Sequence, residues 1–132
     1  MEEPVIYYGS CLCGGITYTL TGEPEQVVAC YCSHCQKNAG SKYQIFAKYP
    51  SSSIDIEDPS DSMRYYTITK GTESGLPKEK HFCGNCGCTL WTVPWKHGGD
   101  IKLVRTSLIE NGLAHFKPKA EIHKGQWTSD AL

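Results

Sequence analysis

Eight cysteines stand in three tight groups: Cys11-Leu12-Cys13, Cys30-Tyr31-Cys32-Ser33-His34-Cys35 and Cys83-Gly84-Asn85-Cys86-Gly87-Cys88. Spacings of one or two residues let neighbouring sulfurs converge on a single ion held about 2.3 Å from each. Glycines follow the first group and punctuate the third, where a chain curling around a metal needs a permissive backbone. In a compartment where thiols stay reduced, such clusters read as metal ligands before disulfides.

A tetrahedral structural zinc needs four ligands. Cys11/Cys13 and Cys83/Cys86, two short pairs far apart in the chain, would supply them and tie the N-terminal region to a later strand. Cys30, Cys32 and Cys35 then offer three thiolates and an exchangeable fourth position, the arrangement of catalytic zinc. Two alternatives stay open: Cys88 completes a second closed site, or the even cysteine count forms a disulfide framework.

Three thiolates around Zn²⁺ give a site of charge about −1. Such a site suits a soft fourth ligand better than water. A thiol that binds there loses its proton and becomes nucleophilic at neutral pH. Around this chemistry, His34 is a candidate to orient or protonate a substrate, and Lys37 and Lys42 are candidates to attract a carboxylate. Each has a plainer reading as a solvent-facing residue. His81 reads as structural, and Trp91 and Trp95 as either pocket walls or core.

The elements that must hold these groups are mainly strands. Ile16, Tyr18 and Leu20 alternate with Thr17, Thr19 and Thr21, the period of a half-buried strand. Further strands are expected over 27–31, 43–49, 64–69, 79–82, 89–93 and 101–106, with a short one around Ile54 and Ile56. Residues 70–77 read as a long loop, and Ser33 to Ala39 as the one short helix, ending at Gly40. The chain has 132 residues, 39% of them hydrophobic, with thirteen glycines and seven prolines. That suits a single antiparallel β domain over 1–132 with a modest core, many turns and a need for staples.

Net charge is −1 and the basic residues are scattered. Lys117, Lys119 and Lys124 are the nearest approach to a cluster, too sparse for a nucleic-acid footprint. Met1-Glu2-Glu3-Pro4 has no positively charged leader followed by an apolar run. No stretch is long enough to span a membrane. The expectation is a cytoplasmic protein with small-molecule partners, and neither nucleic acid nor membrane.

Taken together, Gly9-Ser10-Cys11-Leu12-Cys13-Gly14-Gly15, Cys30-Tyr31-Cys32-Ser33-His34-Cys35, Gly40-Ser41 and His81-Phe82-Cys83-Gly84-Asn85-Cys86-Gly87 resemble the glutathione-dependent formaldehyde-activating enzyme family, which also contains centromere protein V. The resemblance runs from about Gly9 to Pro118. It implies a small β-tent of antiparallel sheets. It also implies a structural zinc on Cys11, Cys13, Cys83 and Cys86, and a catalytic zinc on Cys30, Cys32 and Cys35. The implied activity is that of a carbon–sulfur lyase acting on glutathione–aldehyde adducts, with glutathione as cosubstrate. Action on another carbonyl metabolite and a non-catalytic zinc module are the alternatives. The chain departs from the family at Gln36-Lys37, where Arg often follows the third cysteine, and at Cys88, where a small residue is common. Its end is short after Pro118, although Glu121-Ile122-His123 and Trp127 suit a final strand.

Overall fold

The computed structural model describes residues 3–72 and 74–122. Ten strands and two short helices follow one another as β1 (Ile6–Ser10), β2 (Thr17–Thr21), β3 (Gln26–Cys30), α1 (Ser33–Ala39), β4 (Gln44–Pro50), β5 (Ile54–Glu57), β6 (Met63–Ile68), β7 (Lys78–Cys83), β8 (Thr89–Pro94), β9 (Ile101–Arg105), α2 (Gly112–His115) and β10 (Ala120–Ile122). The protein is therefore mainly β, as its alternating Thr/Tyr/Ile runs require. The strands form a three-stranded sheet, β1-β2-β5, and a seven-stranded sheet, β10-β3-β4-β9-β8-β7-β6.

Register decides what each face of the large sheet carries. Val27 pairs with Ala47, Ala47 with Val104 and Val104 with Trp91, so these four lie in one row on one face. Ile16, Tyr18, Leu20 and Ile54, around the small sheet, pack against that face in one buried cluster. The next positions along the same strands, Val28, Phe46 and Leu103, belong to a second cluster on the other face, together with Cys30, Cys32 and Cys35. Both faces are thus covered. That is why β8 is buried at all six positions and β3 at its last four, instead of alternately.

All strand pairings are antiparallel except β10, which runs parallel to β3. A last strand can lie parallel at this edge because helices and six strands intervene before the chain returns. β1 and α2 are not expected from the sequence. Ile6-Tyr7-Tyr8-Gly9-Ser10 lacks alternation, and only pairing with β2 makes it a strand. Among the described residues of 70–77 no helix or strand forms. His123, Lys124 and Trp127 lie outside the described residues. Among the described residues no helix is long and apolar enough to cross a membrane.

Candidate metal centres and the adjoining cleft

The first centre is built from two loop tips. Between β1 and β2 the chain curls around Cys11: Cys11 N–H donates to the Ile16 carbonyl at 3.0 Å, Gly14 N–H to the Cys11 carbonyl at 3.1 Å, and Ile16 N–H to Cys11 Sγ at 3.4 Å. Between β7 and β8 a similar knuckle forms, with Cys86 N–H on Cys83 Sγ at 3.4 Å and Gly87 N–H on the Cys83 carbonyl at 2.8 Å. Gly87 closes it at φ +79, a conformation that a residue with a Cβ adopts only with strain. The two tips bring Cys11, Cys13, Cys83 and Cys86 together, with all four sulfurs within 4.8 Å of one another.

Cys11 and Cys13 sulfurs are 3.5 Å apart, and those of Cys13 and Cys83 3.7 Å. A tetrahedron with sulfurs about 2.3 Å from its centre has edges of about 3.8 Å. The donor set and its spacing fit a metal ion. Hydrogen bonds from backbone N–H groups, the Cys88 amide foremost, pull the Cys86 thiol down to about 6. Such bonds stabilise the thiolate that a metal requires.

The second centre sits where β3 turns into α1. Cys30 ends the strand, Cys32 is the residue capping the helix and accepts the Cys35 amide at 3.4 Å, and Cys35 lies one turn on. All three are buried, and their sulfurs again lie within 4.8 Å of one another. Among the described residues no further Cys, His or carboxylate joins them. Hydrogen bonds from the Cys30 and Cys35 thiols hold Cys32 far below the ordinary thiol range. The same contacts push Cys30 up to about 11 and drive Cys35 higher still. One thiolate leaning on two protonated neighbours is what three packed thiols can manage alone. A dication is what lets all three ionise together, so this donor set also fits a metal.

Cys88 joins neither group. Its sulfur sits beside Cys86 and the Leu12 amide and packs at the edge of the main core. Trp91 is wholly buried core, and Trp95 is 47% exposed with its Nε1–H on Glu79 at 2.9 Å. His81 bonds Glu79 at 2.9 Å and stacks on Tyr65. None of these three residues lines the cleft described next.

A cleft of about 680 Å³ opens between α1 and strands β6 and β7. His34, Lys37 and Asn38 line it from the helix, with Lys70 and Lys80 opposite and Tyr66, Ile68 and Phe82 as apolar wall. Lys42 is not part of the lining. Burial pulls the His34 imidazole below its usual range. Its Nδ1 is buried without a partner. A larger hollow of about 990 Å³ lies elsewhere, lined by Tyr8, Leu12, Tyr18, Glu57, Cys88 and Leu108 among others; neither hollow is lined by Cys30, Cys32 or Cys35 themselves, and only the cleft reaches the segment that carries them, through His34.

Sequence reasoning passes over three basic residues on this side of the sheet. Lys78 is buried, 5% exposed, and its charge reaches Cys32 and His34. Lys80 shares its face of β7 by the period of two. Arg105, at the end of β9, donates from Nη1 to the Asn38 carbonyl at 3.2 Å and lies within electrostatic reach of Cys35. Alternation in Lys78-Glu79-Lys80 is the available signal, but it acquires meaning only once the face carrying α1 is known.

A family model described as glutathione-dependent formaldehyde-activating enzyme matches residues 6–126. The chain belongs to that family. A Halomonas elongata protein provisionally named a glutathione-dependent formaldehyde-activating enzyme is 32% identical over 85 residues, which are 63% of this chain and 53% of that protein. The chain thus matches about half the length of that relative. A crystal structure of a Rhodobacter sphaeroides protein superposes with a TM-score of 0.62 at 16% identity, covering 86% of this chain and 98% of the other. That likeness speaks for the shared fold alone.

Proposed function

We propose that this formaldehyde-activating family member is a zinc-dependent carbon–sulfur lyase-type enzyme, interconverting a glutathione–aldehyde adduct with free thiol and aldehyde. The single observation that carries the reading is the buried Cys30/Cys32/Cys35 group, three thiol ligands and no fourth among the described residues, beside an open cleft. Zinc bound there would hold a substrate thiol as its nucleophilic thiolate. In the proposed addition the substrate sulfur bonds the carbonyl carbon, the carbon–oxygen π pair moves to oxygen, and the thiol's proton ends there. The reverse direction breaks the carbon–sulfur bond.

The chain's own groups have defined parts in this scheme. Cys30, Cys32 and Cys35 are the ligands at the reacting site. His34, which stands between two of these ligands in the chain, lines the cleft and has an unpartnered Nδ1, is the group assigned to carry the proton. Phe82, Ile68 and Tyr66 keep water from one side of the cleft. Cys11, Cys13, Cys83 and Cys86 hold a second, structural zinc, making two per chain in a single domain. Unpaired thiols throughout suit a reducing compartment, the cytoplasm.

Exchange spectroscopy on formaldehyde and glutathione tests the reading. Zinc-loaded protein should speed interconversion with the adduct, and Cys32→Ser should return it to the uncatalysed rate. Equal rates with and without the protein would leave a non-catalytic zinc module as the better account.

A further inference from the structure

Three buried polar atoms without a hydrogen-bond partner belong to residues that line one small hollow. They are Gln44 Oε1, Arg105 Nε and Thr106 Oγ1, and the hollow, about 200 Å³, lies where β4 begins and β9 ends. Gln44 is 3% exposed and Thr106 wholly buried. Ser41, Tyr43 and Ser107, all exposed, line it toward solvent. It shares no residue with the cleft lined by His34. Register places two of the buried groups: Gln44 faces Cys30 across the β3–β4 pair, and Arg105 faces Phe46, two residues further along β4. Both therefore start from the face that carries α1, and Arg105 Nη1 donates to the Asn38 carbonyl of that helix at 3.2 Å. No Asp or Glu lines the hollow, and among the described residues Arg105 has no carboxylate partner.

A buried polar group without a partner is costly, and one that carries charge more so. Three of them around one hollow mark it as a place for an occupant, and the donors define its chemistry. A guanidinium N–H donates and never accepts, so its missing partner is an acceptor. The Thr106 hydroxyl donates or accepts, and the Gln44 amide presents N–H donors when turned over. The set suits a negatively charged group with two or more oxygens, the geometry that an arginine edge matches in carboxylates and phosphates alike. Water alone would satisfy the hydrogen bonds but bring no charge to Arg105. A volume of about 200 Å³ is below the roughly 300 Å³ at which pockets for drug-sized ligands begin. The occupant is therefore a small ion or one end of a larger molecule. We propose that Gln44, Arg105 and Thr106 form a binding site for a carboxylate or phosphate group, beside the Cys30/Cys32/Cys35 centre and outside its donor set. The anion is either free or the terminus of a thiol held at that centre. Only the second source rests on the reading of those cysteines as the reacting site.

Isotope-labelled, zinc-loaded protein titrated with sodium acetate, and followed by NMR at the Arg105 Nε–H signal, tests this. Acetamide is the neutral probe of the same shape. Acetate should move the signal saturably, acetamide should not, and inorganic phosphate should compete with acetate. By calorimetry, Arg105→Lys, which keeps a charge but loses Nε–H, should weaken acetate about tenfold, the scale of one charge-assisted hydrogen bond. Thr106→Val keeps the side chain's shape and breaks no hydrogen bond of its hydroxyl. It should weaken acetate about fivefold, and it keeps the test alive if the Arg105 variant fails to fold. Lys80→Gln, in the separate cleft, should change nothing. Glutathione and cysteamine, a thiol without a carboxylate, then separate the sources. Displacement of acetate by glutathione alone assigns the anion to the thiol's terminus, and binding of acetate and glutathione together assigns it to a free ion; the site stands in both cases. If glutathione never reaches the three cysteines while acetate still binds here, only the reacting-site reading falls. An Arg105 signal unmoved by acetate, or moved equally by acetamide, would show a hollow that holds only water and overturn the inference. Acetate affinity untouched in both Thr106→Val and Arg105→Lys would overturn it as well.

Discussion

Tyr18 lies across Gly9. The two face each other in the β1–β2 pair, and a Cβ built on Gly9 would stand 2.2 Å from Tyr18 Cζ. The phenol, 2% exposed, meets Trp91 edge-on with ring centroids 5.2 Å apart, so it cannot swing away without leaving the core. This contact seats the hairpin whose tip carries Cys11 and Cys13.

Gly9→Ala should therefore cost about 1–3 kcal/mol through overpacking. In a domain of this size each kcal/mol lowers the thermal midpoint by roughly 4–8 °C. In a Tyr18→Leu background the same substitution should cost much less, because the two changes share one contact. A Gly9→Ala protein melting like wild type would contradict the packing described.

The two cysteine centres should respond differently to loss of a ligand. Apparent binding free energies of structural zinc run to about 10–16 kcal/mol in small peptides, comparable to the whole stability of a domain. Cys11→Ala or Cys86→Ala should unfold or strongly destabilise the protein. Cys32→Ala or Cys35→Ala should leave a folded chain with one zinc fewer by metal analysis. Equal destabilisation by both pairs would remove the distinction between structural and reacting centres.

The grouping of the cysteines into two clusters is largely legible in the order of the residues, because metal ligation imposes local spacing. Each knuckle is complete within four residues, so Cys83-Gly84-Asn85-Cys86 announces itself, and so does the capped turn at Cys32. The Thr17–Thr21 strand is equally plain from its alternation. What stays hidden depends on contacts between distant residues. β1 shows no period until Tyr18 is known to cover Gly9, and β10 is a short edge strand of mostly exposed residues. Lys80 and Arg105 come to one face of the large sheet only through the register of three strands. No local pattern reports such a meeting.

Cys88→Ser should retain both zinc ions and cost at most a modest loss of packing. The sulfur belongs to neither cluster and sits at the core edge as a small apolar group. Metal analysis of the purified variant checks this. Loss of one zinc would show that Cys88 is a ligand.

His34 makes stability fall as the solution is acidified. Its folded pKa lies below the unfolded value of 6.5 because burial disfavours the imidazolium. The unfolded chain then binds more protons near and below that pH. The His34 contribution is fully present above about 6.5 and is lost as pH falls through 6.5 toward the folded pKa. Titration of the imidazole by NMR in the zinc-loaded protein should give a midpoint below the usual range. A midpoint at or above 6.5 would contradict a half-buried His34 whose charged form is disfavoured by burial.

Titration of cobalt-substituted protein with glutathione, read by visible and near-ultraviolet absorption, tests the account at its centre. Cobalt in the Cys30/Cys32/Cys35 group should report a saturable, one-to-one change with a new sulfur-to-metal band. Cys32→Ala, still folded and carrying cobalt at its other centre, should show none. A wild-type spectrum unmoved by saturating glutathione, or the same change in Cys32→Ala, would contradict thiol binding at these three cysteines.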